Sequence, residues 1–205
     1  MKKERAIIVD IDEVMLDHIG GLRKFVKKHY DIHPVGNPTS YDLTEWLGRS
    51  KTEVLEILKH FNERSYEFGL LKRLDVDALE YMTVLKRNFP DVKIIGLTKS
   101  GTGGHGEVLR RVNVENAYPG IIDELYIIEM YESKRGTLAK LKVQYDVQFL
   151  VDDHIDNIRA AQAVGVQGIM LKASHNVRFE NIENDFVYVP NWYQLQRTMS
   201  YILNK

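Results

Sequence analysis

The chain has 205 residues, 44% hydrophobic and 28% charged, enough to bury one core with some length to spare. Its 28 Lys and Arg nearly balance 29 Asp and Glu, for a formal net charge of -1, so no global field draws it to nucleic acid or an anionic membrane. It has no cysteine, which excludes disulfides, thiolate nucleophiles and cysteine-ligated zinc.

The basic start, Met1 to Arg5, runs into the apolar segment Ala6–Val9, which stops at Asp10. That run is too short for a signal-peptide core or a membrane span, so a cytoplasmic location is the default expectation. It predicts a buried first strand. Asp10 and Asp12, separated by one residue, then fall on the same side of the chain just beyond the C-terminal edge of the sheet. Two anions so close repel each other unless a cation or a shared proton relieves them, which suggests a hard metal such as Mg²⁺.

Helical patterns follow over Gly20–Tyr30, Lys51–Phe61 and Glu63–Leu71, with a turn-rich break at 34–40. Asp77–Phe89 reads as the helix that returns to the sheet, ended by Pro90. Roughly eighty residues thus separate the first strand from the second, far more than one crossover needs, which marks an insertion. The expected division is 1–17 with 73–205 as the sheet-bearing unit and 18–72 as the helical insert. The insert is rich in aromatics, among them Tyr41, Trp46, Phe61 and Tyr66, which at helical spacing are ordinarily core.

Val92–Leu97, Glu124–Ile128, Val147–Val151 and Val166–Leu171 complete an alternation of strands and helices that predicts a parallel sheet in a three-layer, Rossmann-like α/β unit. Phe186–Val189 is a candidate edge strand and Trp192–Leu203 a closing helix. Chemistry-bearing residues recur at the strand ends. Thr98, Lys99 and Ser100 follow the second strand, Lys134 follows the third and opens a helix, and Asp152 and Asp153 end the fourth. Singly, each has a bland reading as a cap, a turn residue or a solvated charge.

Weaker motifs carry less. Gly101 to Gly106 satisfies G-x-G-x-x-G after a strand, but its first glycine lies beyond the closing turn and no acid is well placed for a ribose, so a mobile phosphate-side loop is the preferred reading. Asp10, Asp12 and Asp17 lack the glycine a calcium loop needs. Pro34 argues against His29 and His33 as a helical zinc pair.

Taken together and in order, Asp10/Asp12, Thr98, Lys134 and Asp152/Asp153 resemble the four motifs of the haloacid dehalogenase superfamily of phosphohydrolases, over essentially the whole chain. The resemblance implies a Mg²⁺-dependent phosphomonoesterase. Asp10 would be the nucleophile that forms an aspartyl-phosphate, and Asp12 the acid and base. Asp10, Asp153 and the Asp12 carbonyl would hold the metal, with Asp152 in support. Thr98, Lys99, Ser100 and Lys134 would bind phosphate. The insert would be the family's cap. The stretch from Asp10 to Asp17 (Asp-x-Asp-x-Val-x-x-Asp) and the pair His175-Asn176 extend the likeness to the 5′(3′)-deoxyribonucleotidases. This implies a nucleoside monophosphate substrate, with Tyr41, Trp46, Phe61, Tyr66 and His154 as the possible pocket. Another small phosphate, a polynucleotide 3′-end, or a phosphate-binding protein with little turnover are the alternatives. No membrane or nucleic-acid partner is expected, and the chain is expected to be a monomer or homodimer. Glu13 departs from the pattern, because most of the family has glycine after the second Asp.

Overall fold

A computed structural model describes residues 3–180 and 185–205. Six strands, β1 (Arg5–Val9), β2 (Val92–Thr98), β3 (Glu124–Ile127), β4 (Asp146–Asp152), β5 (Gln167–Leu171) and β6 (Val187–Val189), form one sheet in the order β3-β2-β1-β4-β5-β6. All five pairings are parallel, and the three-layer α/β expectation is met. β1 sits at the centre because it is apolar on both faces. Ile7 and Val9 pack with the cluster under α4 (Ala78–Asn88), α5 (Gly106–Ala117) and α8 (Trp192–Leu203). Ala6 and Ile8 pack on the opposite face, under α6 (Lys134–Gln144) and α7 (Ile155–Ala163). Alternation along a strand thus feeds two helical layers.

The chain leaves β1 for β2 on one side and later returns for β4 on the other. The crevice beyond the ends of β1 and β4 is therefore the switch point where such sheets bind ligands. Val9 aligns with Gly96 of β2 and Val151 of β4, so Asp10 and Asp152 emerge side by side.

Between β1 and α4 lie α1 (His18–Tyr30), α2 (Thr44–Leu47), α3 (Lys51–Arg64) and a 3₁₀ turn at Tyr66–Leu70. α1 is capped by Asp17, whose carboxylate accepts from the Gly20 amide at 2.7 Å. α3 starts with a capping box in which Ser50 and Glu53 satisfy each other's amides. The expected helix Glu63–Leu71 does not form. α3 continues through Arg64, and Ser65 is extended (φ -107°, ψ 128°) with its hydroxyl accepting from the Glu67 amide at 3.1 Å, which diverts the chain into the tighter turn. α2 has no counterpart in the sequence reading, being a single turn closed by Gly48 in the left-handed region.

The two links between this stretch and the sheet run side by side. The Asp17 amide donates to the Lys72 carbonyl at 2.9 Å and the Leu74 amide to the Met15 carbonyl at 2.8 Å. Leu22, Phe25, Phe61 and Phe68 of the insert belong to the same buried cluster as Ile11 and Val14. Full burial of such side chains contributes about 1.5–3 kcal/mol each, so the insert is packed onto the sheet-bearing part by its own core.

Candidate active site

Lys134 opens α6 just after β3 and is completely buried, 0% exposed. An ammonium there is tenable only between anions. Its Nζ lies 2.8 Å from an Asp10 carboxylate oxygen and 2.8 Å from one of Asp152. Burial alone would lower its pKa, but the two carboxylates prevail and raise it. The second Asp152 oxygen accepts from the His154 amide at 2.9 Å and from the Asn157 side chain at 3.0 Å. Asp152 is thus held entirely by protein donors. Asp10 Oδ1 accepts from the Ile11 amide at 2.7 Å, which fixes its rotamer.

Asp10, Asp152 and Asp153 each bring a carboxylate oxygen within 4.8 Å of the others'. Burial raises the Asp10 pKa well above the usual carboxylate range; Lys134 opposes the shift, and Asp152, Asp153 and Asp12 add to it. Burial and Asp152 do the same to Asp153. Fully ionised, the three carboxylates would carry more negative charge than Lys134 neutralises. An all-oxygen donor set in electrostatic surplus suits a hard divalent cation.

Asp12 is treated differently. Burial works against its anion, but Arg110 and His18 outweigh burial and lower its pKa. Arg110 lies 2.5 Å from Asp12 Oδ1, and the Thr98 hydroxyl donates to Oδ2 at 3.3 Å. Neither Arg110 nor His18 was marked by the sequence reading. A signal for Arg110 existed, because the buried positions of α5 are Gly106, Arg110, Asn113, Val114 and Ala117, a 3.6-residue stripe with Arg110 on it.

A cavity of about 240 Å³ opens over these groups, lined among others by Asp10, Asp12, Glu13, His18, Lys99 and Asp153. Of the five pocket candidates, Tyr41 and His154 line it. Their rings stack at 3.5 Å, and the Tyr41 hydroxyl donates to the Asp153 carbonyl. His175 approaches the Asp153 carboxylate at 2.8 Å without hydrogen-bond alignment, and burial lowers its pKa to about 4. Asn176 donates to the Asp153 carbonyl at 2.9 Å. The other three candidates lie elsewhere. Trp46 faces a separate cavity, Phe61 is core at 0% exposure, and Tyr66 is 76% exposed on the outside. Thr98 and Ser100 are buried beneath the floor, and the Ser100 carbonyl accepts from Asn62 of α3 at 3.3 Å.

Glu13 occupies the left-handed region at φ 56°, the conformation that makes glycine usual there. Its carboxyl accepts from the Ile19 amide at 2.8 Å and caps the start of α1. Burial raises its pKa to about 8, so at neutral pH it is largely protonated and adds little repulsion toward a phosphate.

The glycine-rich loop is not a free phosphate loop. A Cβ on Gly104 would meet the Glu63 carbonyl oxygen at 2.4 Å and one on Gly106 the Asn62 carbonyl oxygen at 2.7 Å, while the His105 amide donates to Glu63 at 2.8 Å. These glycines form the seat on which α3 ends.

A parallel α/β sheet with a lysine-bridged carboxylate cluster at its switch point defines the class of protein this is. No protein-family model matches the sequence, and neither does any curated protein. Solved structures do match. A haloacid dehalogenase-superfamily hydrolase from Ehrlichia chaffeensis superposes with a TM-score of 0.60 at 17% identity, covering 100% of both chains. A haloacid dehalogenase-like hydrolase from Streptococcus pneumoniae gives 0.64 at 14% identity, over 95% of this chain and 98% of its own. The D,D-heptose 1.7-bisphosphate phosphatase of B. bronchiseptica, complexed with magnesium and phosphate, gives 0.60 at 11%, over 96% of this chain and 98% of its own. The chain has the fold of the haloacid dehalogenase-superfamily hydrolases.

Proposed function

We propose that this chain is a Mg²⁺-dependent phosphomonoesterase that works through an aspartyl-phosphate on Asp10, with 18–72 as a cap over the core formed by 1–17 and 73–205. The observation that carries the reading is Lys134 clamped between Asp10 and Asp152, with the buried Asp153 carboxyl completing the cluster at the switch point. Asp10 and Asp153, with the Asp12 carbonyl, would hold Mg²⁺, which when bound screens the charge of the phosphate. Lys134, fixed against Asp10, opposes the protonation that burial favours and aims that carboxyl. An Asp10 oxygen bonds to phosphorus as the ester P–O bond breaks, and the leaving oxygen takes the electron pair and a proton through Asp12, which must first take that proton from the substrate's phosphate monoanion because Arg110 holds the free carboxyl below the usual range. A water then attacks phosphorus, gives its proton to Asp12, and the bond to Asp10 breaks to free phosphate. Asp152, held by Lys134, His154 and Asn157, supports the cluster, and Lys99 faces the incoming phosphate from the rim.

A nucleoside monophosphate is the favoured substrate class. Ile19, Leu43, Leu58 and Met130 line the cavity beside the Tyr41–His154 stack, walls suited to a base more than to a polyol. Phosphate release should require Mg²⁺ and stop in excess chelator, and Asp10→Asn should fall to background while unfolding as a native protein does. Turnover by folded Asp10→Asn would remove the nucleophile assignment. Specificity constants for deoxynucleoside monophosphates no higher than for sugar phosphates would remove the nucleotide and leave the phosphatase.

A further inference from the structure

Arg110 is an expensive residue. It is 0% exposed, and its Nε and one terminal nitrogen have no hydrogen-bond partner among the described residues. A guanidinium so placed costs folding free energy that an apolar side chain of similar volume would not. Its neighbour Arg111 makes an ordinary exposed pair with Glu107. Among the described residues the single ion pair of Arg110 goes to Asp12, at 2.5 Å. Its guanidinium carbon lies 4.1 Å from the centroid of Phe68, in the 3₁₀ turn of the insert. Phe68 closes the other side, 5.6 Å from the Phe61 ring. Arg110 is therefore wedged between the insert's aromatic core and one oxygen of Asp12, while Thr98 holds the other oxygen.

We propose that Arg110 is the positioning residue of the acid and base: braced by Phe68, it holds the Asp12 carboxyl in one orientation toward the leaving oxygen. This rests on the phosphomonoesterase reading. Asp12 stays the group that exchanges the proton with substrate and water, and Arg110 acts only through it. A side chain fixed at both oxygens reaches the transition state without searching rotamers, which an unfixed Asp12 must do on every turnover.

The test uses leaving groups that differ in their need for a proton. kcat/KM reports the steps through formation of phosphorylated Asp10, where a nucleoside 5′-monophosphate expels an alkoxide that must be protonated and p-nitrophenyl phosphate expels a nitrophenolate that need not be. Arg110→Met should lose at least about tenfold on the nucleotide and less than about threefold on p-nitrophenyl phosphate. Arg110→Lys, which keeps the charge but not the planar fork, should fall between and serves if the Met variant does not fold. Equal losses on both substrates, or none on either, overturn the proposal. A wild-type chain that turns over neither substrate overturns the phosphatase reading instead. A crystal structure of Arg110→Lys then decides the positional claim, which is lost if the Asp12 carboxyl has not moved.

Discussion

Glu13 shows how one residue combines backbone, burial and charge. Its left-handed backbone costs roughly 1–2 kcal/mol relative to glycine, and its carboxyl returns part of that by satisfying an orphan amide of α1. Its pKa rises from 4.5 in the free side chain to about 8 in the fold, so the unfolded chain gives up this proton at lower pH than the folded one. The stability linked to that proton is complete below 4.5 and is lost as pH rises toward about 8, by up to about 1.4 kcal/mol per pH unit. Glu13→Gln keeps an acceptor for Ile19 and cannot titrate. Between pH 5 and 8 the wild type should lose Tm relative to Glu13→Gln, and parallel curves would show that the carboxyl is ionised throughout. At this scale the sequence was informative where chemistry sits at a strand end. Asp10, Asp12, Thr98, Lys134, Asp152 and Asp153 follow apolar runs, and the fold gathers them as the sheet's register requires. Arg110, His18 and Asn62 come from helices whose facing depends on tertiary packing, and for Arg110 the one pointer was its helical spacing with Gly106, Asn113, Val114 and Ala117.

At the scale of elements, the alternating strands and their crossover helices were legible because each is long and uniformly patterned. The inserted segment was less so, since its ends are set by partners distant in sequence. The break after α3 is an example: the Glu63 carbonyl is taken by His105, some forty residues on, and the glycines around it leave room for that approach. Gly104 is doubly constrained, by φ 57° and by the 2.4 Å approach a Cβ would make. Gly104→Ala should therefore destabilise the fold by more than about 1 kcal/mol, through both strain and steric displacement of α3. Urea unfolding gives the cost, and amide exchange should quicken at the C-terminal turn of α3. A neutral substitution would restore the reading of this segment as a mobile phosphate-side loop.

Across the whole molecule, one apolar cluster runs from the sheet through the insert, while the polar groups it cannot absorb converge on the crevice between β1 and β4. Stability and function pull in opposite directions there. Asp10 and Asp153 are both pushed up, chiefly by burial and further by neighbouring carboxylates, so without a cation the fold should weaken as pH rises and these groups are forced to ionise. A divalent cation that binds the ionised cluster reverses that penalty, and at a hundredfold excess over its Kd adds about 2.7 kcal/mol. Mg²⁺ should accordingly raise Tm more at pH 8 than at pH 5. In chelator at pH 8, Asp153→Asn should unfold at a higher temperature than the wild type, because it removes one of the crowded charges, yet it should show little response to Mg²⁺ and no turnover. Thermal unfolding of both proteins at the two pH values, with and without the ion, checks all of this together. A Mg²⁺ response equal at both pH values, or retained by Asp153→Asn, would mean that the ion binds elsewhere than at the carboxylate cluster of the switch point.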